Sequence, residues 1–356
     1  MIVINQKRYH RTGKGMSGYD MQAMLPKLKK QFPWLAEVNS QALQIVCHNL
    51  ADAYNRFFKK KGGYPSFKKK TGNGSFACIN NSHFEGSHIR LPKLGKIRYR
   101  GGDQPEGTIK KFTIRKQAGK FYASVLIDTP LQEPELRQPK KILGIDLGLN
   151  DVIVTSNGQA FPAPKFYRRA KRDLRHANKA LARCKKGSSR RKKVRLHLAR
   201  LHQKTANQRK DFNHKITRAL VAERKNHAFA IESLAVKNMM RNHSLAGAIA
   251  DAGWHQCLTF LRYKAAAVGK PVYEMDRWFP SSKTCSDCGL VRQSLPLSVR
   301  EWTCDDCGSK HQRDVNAATN IALEAVRKIV FDSGGRVSPG VLRKASACEA
   351  RRATAW

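Results

Sequence analysis

Ile142-Leu143-Gly144-Ile145-Asp146-Leu147-Gly148, followed by Asp151-Val152-Ile153-Val154-Thr155 and the turn sequence Ser156-Asn157-Gly158, decides how this chain is read. A short apolar run ends on one carboxylate, and a tight connection returns into a second apolar run, the pattern of a buried strand entering a hairpin. Asp146 is hard to explain as packing, because a lone carboxylate in an apolar strand costs desolvation energy unless it is paired or metal-bound. Ala228-Phe229-Ala230-Ile231-Glu232-Ser233-Leu234 repeats the arrangement, again one acid at the end of a short apolar strand. A third acid, Asp314, opens a helical run carrying Ala317, Ile321, Leu323 and Ala325. Asp146, Glu232 and Asp314 are thus delivered by strand, strand and helix start. Three convergent carboxylates repel one another, and divalent cations remove that cost. Two magnesium ions held there could activate a water and stabilise the departing oxygen in phosphodiester hydrolysis, so these three are the expected catalytic and magnesium-binding residues.

A strand bearing one acid and running into a hairpin is how ribonuclease-H-like folds open. An amphipathic helix is expected from 249 to 267, with Trp254, Leu258 and Leu261 on its apolar face, and then a strand at Pro271-Val272-Tyr273-Glu274-Met275. Cys285-x-x-Cys288 and Cys304-x-x-Cys307 follow, with fifteen residues between the pairs, directly upstream of His311-Gln312-Arg313-Asp314. That doubled spacing suits a zinc ribbon in which two tight turns present four thiolates to one tetrahedral ion. A closed four-thiolate site keeps no open position for water, so this zinc is expected to be structural. Disulfides are the plain alternative, but no export signal is evident and the chain is too long for a small disulfide scaffold, which also points to a reducing, cytoplasmic setting. Cys47 and Cys257 lie among apolar residues at helical spacing and read as small buried hydrophobes.

The charge balance bounds the partner. The 356 residues include 68 Lys and Arg against 26 Asp and Glu, a formal net charge of +42, which favours a polyanion such as nucleic acid. No apolar stretch approaches the ~20 residues needed to span a bilayer, so no membrane partner is expected. From Lys165 to Lys210 there are 19 Lys or Arg and one acid, Asp173. Leu174, Ala177, Leu181, then Val194, Leu198 and Leu201 give this run helical periodicity, broken at Gly187-Ser188-Ser189. Two long basic helices folded as a hairpin are the expected form, able to lie along a duplex and neutralise phosphates. Arg168, Arg169, Arg172, Arg190, Arg191, Lys192 and Lys193 are its candidate nucleic-acid contacts.

Upstream, residues 20 to 60 read as helical, with Leu43, Val46, Leu50, Ala53 and Phe57 on one face behind a cap at Asn39 or Ser40. Phe58, Tyr64 and Phe67 are then interleaved with Lys59, Lys60, Lys61, Lys68, Lys69 and Lys70, which suits base stacking along a tracked backbone as well as it suits a solvated loop. Lys68, Lys69 and Lys70 are carried as nucleic-acid candidates. Residues 76 to 128 change to short apolar or alternating segments separated by Gly-containing turns, including a hairpin at Gln117-Ala118-Gly119-Lys120, and predict a small antiparallel sheet or barrel. Pro130, Pro134 and Pro139 mark a linker.

Taken together, the words Gly144-Ile145-Asp146-Leu147-Gly148, Ile231-Glu232-Ser233-Leu234, Asp276-Arg277-Trp278-Phe279-Pro280-Ser281-Ser282-Lys283-Thr284-Cys285 and Arg313-Asp314-Val315-Asn316-Ala317-Ala318 resemble the TnpB (OrfB) family, transposon-encoded relatives of type V CRISPR effectors. Pro65-Ser66-Phe67-Lys68-Lys69-Lys70 and Arg90-Leu91-Pro92-Lys93-Leu94-Gly95 extend the resemblance over nearly the whole chain. It implies that Asp146, Glu232 and Asp314 occupy the three acidic positions of a RuvC nuclease centre and that Cys285, Cys288, Cys304 and Cys307 are zinc ligands. It implies a guide RNA transcribed from the transposon end, a double-stranded DNA target beside a short flanking motif, and a prokaryotic, nucleoid-associated location. The implied fold is α/β with all-β and helical parts. A helical recognition unit (1–72) and a small wedge-like β-barrel (73–134) precede a ribonuclease-H-like RuvC domain (135–284) with an inserted basic helical hairpin (165–226). A zinc ribbon (285–307) and the last RuvC helix (308–332) follow, and the segment 333–356, Gly- and Arg-containing without a clear apolar period, is expected to be a disordered basic tail. The family's opening basic strand and helix find no match here, so the barrel is expected to lack a closing strand. Three functions compete: an RNA-guided endonuclease, a guided DNA-binding protein that does not cut, and a transposase, which also places three acids on a ribonuclease-H frame.

Overall fold

The computed structural model describes residues 1–67, 74–102, 104, 106–130, 134–136, 139 and 141–332. Lys68, Lys69 and Lys70, and the tail from 333 to 356, lie outside the described residues. The chain divides into two compact units, residues 1–131 and 132–356.

In the first unit, the region read as one helical stretch is four helical pieces after an opening helix, α1 (Ile2–Thr12): α2 (Gly18–Ala23), α3 (Leu25–Gln31), a 3-10 turn (Pro33–Ala36) and α4 (Ser40–Phe58). Pro26 and Pro33 each sit in the first turn of a new piece, where a missing N–H costs nothing and a preceding helix must stop. Ser17 and Asp20 form a reciprocal capping box on α2, and Asn39 caps α4 by accepting from the Gln41 amide at 2.8 Å. The buried face of α4 is offset from the expected one. Cys47 and Tyr54, with Leu43 and Leu50, pack on Met16, Met21 and Leu25, while Val46 is 60% exposed. The spacing 43-47-50-54 is as helical as 43-46-50-53, and only the neighbours distinguish them.

Two three-stranded antiparallel sheets follow. One has β1 (Ser75–Cys78), β5 (Thr108–Gln117) and β6 (Lys120–Asp128) in the order β1-β5-β6, and the other has β2 (His83–Glu85), β3 (His88–Leu91) and β4 (Gly95–Arg98) in sequence order. They share a core of Ile89, Leu91 and Phe112 with Phe84, Tyr99, Ile114 and Val125 against it. The β5–β6 hairpin turns at Ala118-Gly119, both with positive φ.

The second unit is built on a five-stranded sheet. Its strands are β7 (Ile142–Asp146), β8 (Asp151–Thr155), β9 (Ala160–Pro162), β10 (Ala228–Glu232) and β11 (Val272–Met275), in the order β11-β10-β7-β8-β9. β7, β8 and β9 form an antiparallel meander, and β10 and β11 add in parallel beside β7. The helices are α5 (Phe166–Arg183), α6 (Ser189–Ala222), α7 (Val236–Met239), α8 (Ala246–Ala252), α9 (Trp254–Ala266) and α10 (Arg313–Asp332), with a small ribbon of β12 (Glu301–Thr303) and β13 (Lys310–Gln312) before the last. Side-chain alternation sends Leu143, Ile145, Phe229 and Ile231 to one face, where Ile216 and Leu220 of α6 and Leu258 and Leu261 of α9 cover them. Burying each is worth roughly 1.5–3 kcal/mol. The other face carries Ile142, Ala228 and Ala230 and is covered by Ile321, Ala325 and Val326 of α10. Small residues there let the helix approach closely. At Gly144 a methyl group would overlap the Ala318 carbonyl of α10, so no side chain fits.

α5 and α6 form the expected basic hairpin. The last third of α6, inside the 165–226 segment read as an insertion, packs Ile216, Leu220 and Val221 into the core of the sheet. The helix expected from 249 to 267 is two helices. Gly253 takes φ +64 between α8 and α9 and redirects the chain, a left-handed conformation that costs glycine little.

Candidate active site and metal centre

Parallel pairing brings two acids side by side. Ala228, Phe229, Ala230 and Ile231 of β10 pair with Ile142, Leu143, Gly144 and Ile145 of β7, and the next residues on the two strands are Glu232 and Asp146. Period-2 alternation sets both on the face of Gly144, Ala228 and Ala230, the face that α10 covers. α10 begins with Arg313 and Asp314, one turn before the Ala318 that lies against Gly144. The third acid therefore arrives above the same strand ends.

The electrostatics carry the mark of that convergence. Burial first, and then the charges of Glu232 and Asp314, push the Asp146 carboxyl up to about 8 from an ordinary 3.8. The Leu147 amide and the nearby Arg313 oppose the shift. Burial also raises Glu232, opposed by a hydrogen bond that Ser281 Oγ donates to Glu232 Oε1 at 2.6 Å. Asp314 takes a different partner: Arg300 Nη1 donates to both of its oxygens at 3.3 Å, from a side chain 51% exposed. The connection after Asp146 is held by Trp254, whose indole N–H donates to the Gly148 carbonyl at 3.1 Å.

The two metal expectations fare differently. Cys285, Cys288, Cys304 and Cys307 bring their sulfur atoms within 4.8 Å of one another. Cys285–Cys307 and Cys288–Cys304 are 3.7 and 3.6 Å apart, close to the edge of about 3.8 Å that a tetrahedron of ~2.3 Å zinc–sulfur bonds requires. Hydrogen bonding to Ser309, side chain first and backbone second, holds Cys307 down to about 6, while burial raises Cys285 and Cys288. Backbone amides complete two tight turns, Gly289 N–H to the Cys285 carbonyl and Gly308 N–H to the Cys304 carbonyl. His311 Nε2 lies 3.0 Å from Cys285 Sγ. These residues fit one tetrahedral zinc.

Among the described residues, the four cysteines are the one group of three or more His, Cys, Asp or Glu side chains gathered that tightly. The three carboxylates converge more loosely, and Arg300 pairs with one of them. They still fit magnesium: three hard oxygen donors, partly exposed, leave room for the waters this ion retains.

The basic hairpin separates its candidates. Arg168, Arg169, Arg172, Arg190, Lys192 and Lys193 are exposed. Arg191 instead turns inward and donates to the Leu181 and Cys184 carbonyls at 2.6 and 3.0 Å, capping the end of α5. The opposite end of α5 is capped from a distance: Asp251 on α8 accepts the Tyr167 amide at 2.9 Å. The sequence marks Trp254 only as an apolar helix position and Ser281 only within a family word, and it does not mark Arg300 or Asp251; the single polar contacts such residues make carry no spacing signal. Asn316 and Asn320 did carry one, two helix-averse amides four apart in a run of small apolar residues.

A strand order of β11-β10-β7-β8-β9 with acids ending β7 and β10 and opening α10 defines a ribonuclease-H-like fold of the RuvC kind. The OrfB_IS605 family model, described as "Probable transposase", matches residues 123–243, and the Cas12f1-like TNB domain model matches residues 254–321. A "Putative RNA-guided DNA endonuclease" of Streptomyces pristinaespiralis is 37% identical over 341 residues, 92% of this chain and 83% of that protein. InsQ of Escherichia coli K12, described in the same words, is 31% identical over 340 residues, 90% of this chain and 83% of that protein. The chain belongs to the TnpB (OrfB) family. Among solved structures, a Cas12f1–sgRNA–target DNA complex matches with a TM-score of 0.51 at 14% identity, covering 80% of this chain and 70% of that one, a likeness of fold.

Proposed function

We propose that this chain is an RNA-guided, metal-dependent DNA endonuclease in which Asp146, Glu232 and Asp314 are the catalytic carboxylates. The observation that carries the reading is geometric: Asp146 and Glu232 end paired inner strands on one face, under the helix that opens with Asp314, and burial and then the two neighbouring acids raise Asp146 to about 8. A carboxylate cluster that costs the fold this repulsion is most simply a cation site. The relatives' description as RNA-guided DNA endonucleases agrees with it, as do the exposed cations of the α5–α6 hairpin. The order Asp, Glu, Asp, with the last acid on a helix directly after a thiolate ribbon, favours a RuvC-type nuclease over a transposase.

In this reading the three carboxylates hold magnesium at the ends of β7 and β10. Magnesium bound there supplies an activated water and charge stabilisation for in-line phosphodiester hydrolysis. Trp254 keeps the chain after Asp146 in place, and Ser281 fixes one oxygen of Glu232. Arg300 pairs with Asp314 from a half-exposed side chain, which would be free to withdraw if a cation were bound there. The four cysteines hold zinc as a structural staple. Arg168, Arg169, Arg172, Arg190, Lys192 and Lys193 contact phosphates of guide or target.

The test is Asp146→Ala in a guided cleavage assay with the transposon-end RNA. Cutting is expected to fall by several orders of magnitude with guide-RNA affinity unchanged. Equal cutting by variant and wild type would refute the assignment, and RNA-independent joining of transposon ends would favour the transposase.

A further inference from the structure

Three buried polar side chains and one backbone carbonyl link the thiolate ribbon to Glu232, and of these the reading above uses only Ser281. Ser281, Thr284, Asn316 and Asn320 are each no more than 6% exposed. Asn320 Nδ2 donates to the Ser281 carbonyl at 2.8 Å and to the Thr284 carbonyl at 2.6 Å. Asn316 Nδ2 also donates to the Thr284 carbonyl, at 2.8 Å, and its Oδ1 accepts the Ser286 amide at 3.0 Å. Both asparagines belong to α10, the helix that opens with Asp314. They grip a non-repetitive segment, 281–286, that carries Ser281 at one end and the ribbon's first thiolate, Cys285, near the other.

Burying two amides in a helix interior is costly unless they replace backbone partners that a turn segment cannot find for itself. Here they do, and the result is a fixed frame. Ser281 Oγ donates to Glu232 Oε1 at 2.6 Å, a short bond of the charge-assisted kind. It restrains the Glu232 carboxylate from rotating and lowers it against the rise that burial imposes.

We propose that Ser281, clamped to α10 by Asn316 and Asn320, is a positioning residue that orients Glu232 for the divalent cation and ties its geometry to the Cys285 end of the ribbon. This rests on the reading in which Glu232 is a cation ligand. Partners that orient a ligand from behind typically contribute about 10–100-fold to metal affinity or activity.

The experiment compares wild type with Ser281→Ala, Asn320→Ala and Glu232→Ala as guide-RNA complexes. Mn2+ binding is read by electron paramagnetic resonance, and cutting is followed against Mg2+ concentration, with zinc content and guide affinity measured alongside. Ser281→Ala removes one oxygen and leaves no bulk to accommodate. It is expected to weaken Mn2+ binding about tenfold or more and to raise the Mg2+ needed for half-maximal cutting by a similar factor. Its maximal rate should recover toward wild type at high Mg2+, with zinc and guide binding unchanged. Asn320→Ala should move the metal dependence in the same direction. If Ser281→Ala keeps the wild-type metal dependence while Glu232→Ala is inactive, the positioning role is wrong and the nuclease reading stands. Loss of zinc or guide binding by Ser281→Ala would equally overturn it in favour of a structural role. Wild-type cutting by Glu232→Ala would overturn both.

Discussion

At Asp146 the sheet, the neighbouring acids and the solvent make conflicting demands, and the proton resolves them. With its carboxyl raised to about 8, Asp146 keeps a proton near neutral pH, which a cation bound there would have to displace. The folded value lies above the ordinary 3.8, so as pH rises from about 4 to 8 the unfolded chain is ionised here while the metal-free fold still holds the proton, and the fold loses stability across that window. For the same reason, cation affinity should rise as pH increases toward 8 and level off above it. Mn2+ titrations of the guide complex at pH 6, 7, 8 and 9 measure this, and Asp146→Asn should flatten the dependence. At Gly144, two residues earlier, the constraint is steric. Gly144→Ala must push α10, and with it Asp314, off the sheet, which should cost about 1–3 kcal/mol in chemical denaturation and a large share of the cutting rate. The same substitution at Gly187, in the open hairpin turn with φ +85, should cost about 1 kcal/mol and leave cutting intact.

Among the elements, those that end in a chemical requirement could be read from the sequence and those set by a neighbour could not. β7 and β10 were legible because an acid closing an apolar run has few structural excuses, and the cysteine pairs because tetrahedral thiolate chemistry dictates their spacing. Asn39 was legible as a cap because its side chain acts on its own helix. The split between α8 and α9 was not, since Ile249, Trp254, Leu258 and Leu261 keep an apolar rhythm across Gly253 and only the backbone shows the bend. Nor was the face of α4, where Cys47 and Tyr54 rather than Val46 meet the neighbouring helices. The α5–α6 hairpin shows the same division within one cluster of charge. Replacing Arg190, Lys192 and Lys193 with Gln should weaken nucleic-acid binding and reduce the slope of log affinity against log salt by about 0.7–0.9 for each phosphate that is no longer neutralised. Arg191→Ala should leave that slope nearly unchanged and lower the melting temperature, because its guanidinium is engaged at the end of α5. Salt-dependent binding and thermal melts of the two variants separate these outcomes.

For the molecule as a whole, a net charge of +42 explains attraction to a polyanion but specifies nothing about chemistry. The proposed chemistry is local to one end of the sheet, where residues 146, 232 and 314, far apart in sequence, are brought together by a parallel pair of inner strands and the helix that packs across it. A catalytic ribonuclease-H frame and a mere structural echo of one differ in whether those acids take up cations together. Anomalous scattering from Mn2+ in a crystal of the protein with its guide and target measures that directly. The expected result is manganese density ligated at ~2.1 Å by oxygens of Asp146, Glu232 and Asp314, with Arg300 withdrawn from Asp314. Saturating Mn2+ with no density against these carboxylates, and the Arg300–Asp314 pair still closed, would contradict it.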